Sequence, residues 1–433
     1  MSYLTTLRVP PEYQDAFGRL RTSEPGTTFD ADFLTSSRPD LWAQLTSGAG
    51  AVAYTINFPH VALTTGGIGR AVRQSREYLP YLPGKSFLSF VTGVLAVGGG
   101  AAGVTARIGL FDDGADKTVN PTPGNGFFFQ LVGTALSVVL RSGITGVQVD
   151  TVVPQAAWNI DPLNGTGRSG VTLVPGNRQI FMFEMEWLGV GEITFGVVID
   201  RALIPCHRMN FANQVGISAY TNRGSLPVRY EVSSTGPAAE ARQICCTVIS
   251  EGGRILSSPL SRAFAADRGN TLAVVTNTVE RPLLAVRLKA TRNRASLGPL
   301  GVNAMTTTSD FILIALYRFI SPEAFGAGPL TGPVWTAVNA LTVPGFTDMS
   351  VAESDITASA VDLSGAVYPF VRVASFYFST SANQGASSLI DISQTLSADI
   401  QGRSDWYVIT ARRALTSGGS ESLYAGVQWI EYE

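Results

Sequence analysis

Only two histidines, His60 and His207, and three cysteines, Cys206, Cys245 and Cys246, are available in this 433-residue chain for imidazole or thiolate chemistry. His60 follows Phe58-Pro59 where an apolar run ends, which reads as a loop or core histidine. Cys206 and His207 are adjacent. Neighbours on a strand point to opposite faces, so the pair is badly placed to work as thiolate and base. A transition metal needs three or four convergent ligands, and neither H-E-x-x-H nor paired C-x-x-C occurs; neither a metal nor a cofactor is expected. Gly84-Lys85-Ser86 looks like the end of a phosphate loop, but Leu79 stands where that loop requires glycine. The glycines at 98–100 have no helix after them to hold a pyrophosphate, and they read as a hairpin tip. Glu184 and Glu186 share a strand face and are a conceivable glycosidase pair, although a solvated strand is the simpler reading. Asp112-Asp113-Gly114-Ala115-Asp116 is rich in oxygen but lacks the spaced ligands of a calcium loop, so a solvated turn is expected. No catalytic residue is assigned, and the chain reads as a non-enzyme.

The elements that would position these residues are strands. Apolar segments are short, β-branched or aromatic, and bounded by Gly, Pro, Asn or Ser. In Gln179–Trp187 the side chains of Phe181, Phe183, Met185 and Trp187 fall on one face, which should be buried. Similar runs recur at 52–58, 87–91, 146–152, 283–290, 311–320, 371–378, 406–410 and 424–432. The fold class expected is all-β: two antiparallel, jelly-roll-like β-sandwich domains behind an N-terminal arm. The arm is residues 1–40, the first sandwich 41–240 and the second 241–433, with the small and polar stretch 233–242 as the linker. In the arm, Tyr13, Ala16, Phe17 and Leu20 have helical spacing, but Gly18 and Pro25-Gly26 break it. Such an arm docks on its own domain, the favoured case, or on a neighbouring subunit. Tyr3, Leu7, Arg8, Phe17, Arg19, Arg21 and Phe29 are its candidate interaction residues.

Composition removes several classes of function. Apolar residues make up 45% of the chain and charged residues 15%, which excludes a disordered, highly charged protein. The net charge of −2 supplies no field for binding phosphate backbones, so nucleic acid is not an expected partner. Two uncharged runs, 86–106 and 119–140, are long enough to span a bilayer, but their glycines and prolines suit buried strands and turns better; no membrane span is expected. No apolar leader precedes Pro10-Pro11, so synthesis in a cytoplasm is expected. All basic residues except Lys85, Lys117 and Lys289 are arginine. That bias fits interfacial ion pairs, and equally a GC-rich genome.

Several segments resemble a family of virion-associated structural proteins of tailed bacteriophages and some large DNA viruses. They are Asp15–Pro25 with Thr28–Asp30, Trp158–Gly167, Glu186–Gly191 running through Phe195–Ile199 to Cys206-His207 and Phe211–Asn213, Leu226–Glu231 and Cys246–Gly253. The resemblance covers the first 255 residues well. The remainder is covered weakly, through Ala285–Lys289 and Trp429–Glu431. It implies a self-assembling subunit of the tail, baseplate or fibre, or a head-decorating protein, with copies of itself (a trimer or ring) and other virion proteins as partners. It carries no catalytic residue. A receptor- or glycan-binding module is the alternative, with a host surface glycan as partner and the virion as location.

Overall fold

The computed structural model describes residues 25–251 except 217, and 262–432 except 270, 276–278, 307–310, 339–349, 380–384, 390–394 and 415–420. The protein is all-β, and its chain divides into two compact units. The first comprises residues 1–75, 79–116 and 121–256; the second comprises 76–78, 117–120 and 257–433.

Thirteen strands build the first unit: β1 (Gly26–Ala31), β2 (Trp42–Thr55), β3 (His60–Ser75), β4 (Phe87–Val94), β5 (Val104–Phe111), β6 (Gly126–Val132), β7 (Ala135–Ser142), β8 (Val149–Pro154), β9 (Gln179–Met185), β10 (Glu192–Ile199), β11 (Ala202–Asn210), β12 (Val228–Ser234) and β13 (Ala239–Ser250). They form one antiparallel sheet in the order β11-β10-β9-β4-β13-β3-β12-β5-β6-β7-β8, with β2 also paired to β3 and β1 to β13. The sheet curls until its two ends face each other. Phe127 and Phe129 on β6 meet Phe181, Phe183 and Phe195 on β9 and β10, with ring centroids 4.9 to 6.1 Å apart, although β6 and β9 are far apart in the strand order. Alternation along β9 buries Phe181, Phe183 and Met185, as its sequence requires.

In the second unit two sheets face each other. One pairs 262–267 and 273–275 with 421–432, then 296–306 and 385–389; the other runs through 336–337, 352–355, 281–288, 406–413, 311–319 and 370–379. Val427 and Trp429 from one sheet share a core with Val286, Ile314 and Ile409 from the other. Buried Asp405 organises part of this unit, accepting from Arg318 (2.7 Å), from the Ser321 amide (2.8 Å) and from Arg76 (3.3 Å).

Three expectations need correction. The boundary near 240 falls inside the first unit's sheet, where residues 235–238 join β12 to β13 across the intervening β3 and Ser234 closes the turn, accepting from the Gly236 amide and donating to the Pro237 carbonyl; the division lies at 256/257. Residues 26–31 of the arm are a strand of the chain's own sheet. Phe29 is buried edge-to-face on Trp42 at 5.8 Å, so it is a core residue and no interface residue. Tyr3, Leu7, Arg8, Phe17, Arg19 and Arg21 lie outside the described residues. Finally, the glycines at 98–100 are not a hairpin tip. All three have positive φ, but they join β4 to β5, which do not pair with each other.

The Asp112–Asp116 turn is not solvated either. Alternation puts Arg70, Arg107, Gln130, Arg141, Arg229 and Glu231 on the outer face of β3, β12 and β5–β7, and the turn folds back over them. Glu231 accepts from Arg229 (2.9 Å), Arg107 (2.9 Å) and Arg70 (3.0 Å), while Asp116 binds Arg70 and Arg229. Arg141 joins Asp113 (2.9 Å) and grips both oxygens of Asp150 (2.8 Å each). Arg229 and Arg141 also lie over the Phe111 ring. Arginine here serves internal pairs, where its planar fork satisfies two acceptors at once.

Burial alone would raise the Glu231 pKa, but Arg229, Arg70 and Arg107 outweigh it and hold the carboxylate far below its ordinary range; Asp116 is lowered in the same way by Arg229 and Arg70. The unfolded chain therefore takes up these protons first, and stability present above about pH 4.5 is lost as the pH falls towards the folded values. Urea unfolding should show a midpoint that drops steeply between about pH 4.5 and 2. At pH 7, Arg229→Met should cost about 3–5 kcal/mol, since it removes the buried guanidinium shared by Glu231 and Asp116 and leaves only Arg70 and Arg107 to offset both; a cost under 1 kcal/mol would contradict this assignment.

Candidate functional site

A cleft of about 960 Å³ opens on the outer face of the first unit, where the ends of β3, β13 and β4 come together. In the β3–β13–β4 register, Ala62 stands opposite Arg242 and Arg242 opposite Val94, so His60, Arg242 and Val94 share this face while Val61, Gln243 and Gly93 point into the core. A bulge after Gln243 leaves Ile244 without a cross-strand partner and turns it to the cleft. The β2–β3 turn adds Phe58 and Pro59; Phe58 is 71% exposed, unusual for a phenyl ring. Val97 and the Gly176-Asn177-Arg178 turn complete the lining.

Two turns are locked together to form one wall. The Ala96 amide donates to the Pro175 carbonyl (3.3 Å), and Asn177 and Gln179 both donate to the Val174 carbonyl. A Cβ on Gly176 would lie 2.9 Å from the Gly99 nitrogen, so only glycine lets the turns come this close.

The polar groups of the cleft are mainly donors. His60 Nδ1 faces the Phe58 carbonyl, which can only accept, so Nδ1 carries the hydrogen and Nε2 is left for other partners. Arg242 pairs with Glu240, while the Arg178 guanidinium has no partner among the described residues. No carboxylate lines the cleft among the described residues. An aromatic face beside fixed planar donors can hold a polar ring compound by stacking and by hydrogen bonds.

The residues singled out for chemistry in the sequence lie elsewhere, except His60. Cys206 is fully buried at a bulge opposite Phe195; burial pushes its thiol pKa well up and pushes the neighbouring imidazole of His207 down. His207 Nδ1 accepts from the Asn159 amide at 3.2 Å, which fixes it as a neutral structural acceptor. Glu184 faces Leu88 and Thr194 across the sheet. Glu186 lies past the end of β9, with its side chain folded over Gly191, and neither carboxylate lines the cleft. Among the described residues no group of three or more His, Cys, Asp or Glu side chains converges as for a metal, and no helix is long and apolar enough to cross a membrane. Phe58, Asn177, Arg178 and Arg242 had no signal in spacing, because the cleft gathers four segments distant in sequence.

No family model and no curated protein matches this chain. Among solved structures it is similar to an endo-β-1,4-glucuronan lyase from the fungus Trichoderma reesei, with 11% identity, 53% of this chain and 97% of that chain covered, and a TM-score of 0.35. It is similar also to the Emp47p carbohydrate recognition domain (12%, 52% and 96%, 0.32) and to peanut lectin (10%, 53% and 98%, 0.32). Likenesses this distant concern the layering of strands and carry no function.

Gly176→Val should force the two turns apart at a cost of about 1–3 kcal/mol while the curled core stays intact. Thermal unfolding together with near-ultraviolet circular dichroism checks this, and an unchanged melting temperature would show that the wall does not need this close approach.

Proposed function

We propose that the protein is a glycan-binding β-sandwich module that breaks no bond, and that it is carried on a phage particle. The observation that carries the binding reading is the cleft itself: an exposed Phe58 ring beside His60, Asn177, Arg178 and Arg242, at the ends of three interior strands. Sugars offer C–H faces to aromatic rings and hydroxyls to fixed planar polar groups, so this lining matches their chemistry. The lectin and the carbohydrate recognition domain named above are compatible with this reading without carrying it. The particle setting rests on the segments Asp15–Pro25, Trp158–Gly167 and Glu186–Gly191. It makes a host surface glycan the natural target and a trimer or ring of copies the natural arrangement.

Screening the full chain on a glycan array should give a defined set of ligands. Phe58→Ala should weaken each of them about tenfold or more without shifting the unfolding temperature, because the ring is exposed. Binding that is absent across the array, or indifferent to Phe58, would overturn the assignment.

A further inference from the structure

Resting on the glycan reading, the cleft also discriminates by charge. Two guanidiniums line it, with no carboxylate among the described lining residues. That is a local excess of positive charge on a chain whose net charge is −2. On the outer face of β3, β12 and β5–β7, by contrast, Arg70, Arg107, Arg141 and Arg229 are all ion-paired internally. In the cleft, Glu240 neutralises Arg242, whereas Arg178 faces no acid among the described residues. It sits on a turn pinned by the Ala96–Pro175 and Asn177–Val174 hydrogen bonds. The guanidinium on this turn is exposed and keeps its fork free among the described residues, and its best complement is a planar carboxylate bound through two parallel N–H···O bonds.

We infer that the cleft selects a carboxylate-bearing sugar, with the acid group on Arg178 and the ring of that sugar against Phe58. His60 Nε2 and Asn177 then serve the hydroxyls. A hexuronate and a sialate both supply this chemistry.

The test uses matched pairs measured by calorimetry on the full chain: oligogalacturonate against its carboxyl-reduced counterpart, and sialyllactose against lactose. The acidic member of at least one pair should bind about tenfold or more tightly, and the pair that responds names the source of the acid. Arg178→Gln should erase that difference, bringing the acidic member down to the affinity of its neutral counterpart, whereas Phe58→Ala should weaken acidic and neutral members together. Circular dichroism of both variants confirms that the fold is kept. If neutral sugars bind as well as acidic ones, or Arg178→Gln changes nothing, the charge selection is wrong and glycan binding stands. If neither pair binds and the array is also empty, both readings fall.

Discussion

The face-to-face closure of one continuous sheet is the constraint from which the first unit follows. Phe127 and Phe129 on β6 reach Phe181, Phe183 and Phe195 on β9 and β10 only because the sheet curls through eleven sequentially paired strands. Rings at offset and edge-on angles fill the gap between the layers at the spacing that aromatic side chains favour. Once those layers are fixed, alternation turns most polar side chains to the outer faces, the hydrogen-bonded Arg73 and Gln243 being buried exceptions. Both charged systems of this unit lie there.

These two systems divide the work of arginine. Around Glu231 and Asp116 the guanidiniums are desolvated, saturated and tied to ring faces, which makes them part of the scaffold. At the cleft the positive groups stand on turns and strand ends, partly wet, with donor capacity left over. A buried pair gives little net stability against an apolar replacement but penalises any arrangement that separates its members. The inner network therefore specifies how the Asp112–Asp116 turn lies on the sheet.

Much of the fold was legible in the sequence. Alternation in Gln179–Trp187 assigns its buried face correctly, because period-two patterning is a local property, and most of the other apolar runs mark strands; the run 52–58, however, leaves its strand at Thr55 and ends in the turn that exposes Phe58, and 146–152 begins in a turn and continues as an exposed strand. What was not legible is nonlocal. The stretch 233–242 is small and polar in a turn between two strands of one sheet just as in a linker between domains, and composition does not separate the two. Phe29 looks like an arm residue until its pairing partner, Val248, is known. Asp113 and Asp116 resemble solvated turn residues because the arginines that claim them come from strands at positions 70, 141 and 229. The cleft is the extreme case: residues 58–60, 94–97, 176–178 and 242–244 meet only after the sheet has formed.

The chain crosses between its two units more than once. Residues 76–78 and 117–120 group with the second unit although sequence on either side of each belongs to the first. In that second unit Arg76 reaches Asp405, and Lys117 donates to the Tyr78 hydroxyl at 2.6 Å. The later half of the polypeptide thus borrows structural pieces emitted early by the ribosome, and Arg76 must wait 329 residues before Asp405 exists. Such an interlaced chain is not a pair of beads that recombination can trade singly; it is inherited, expressed and lost as a whole.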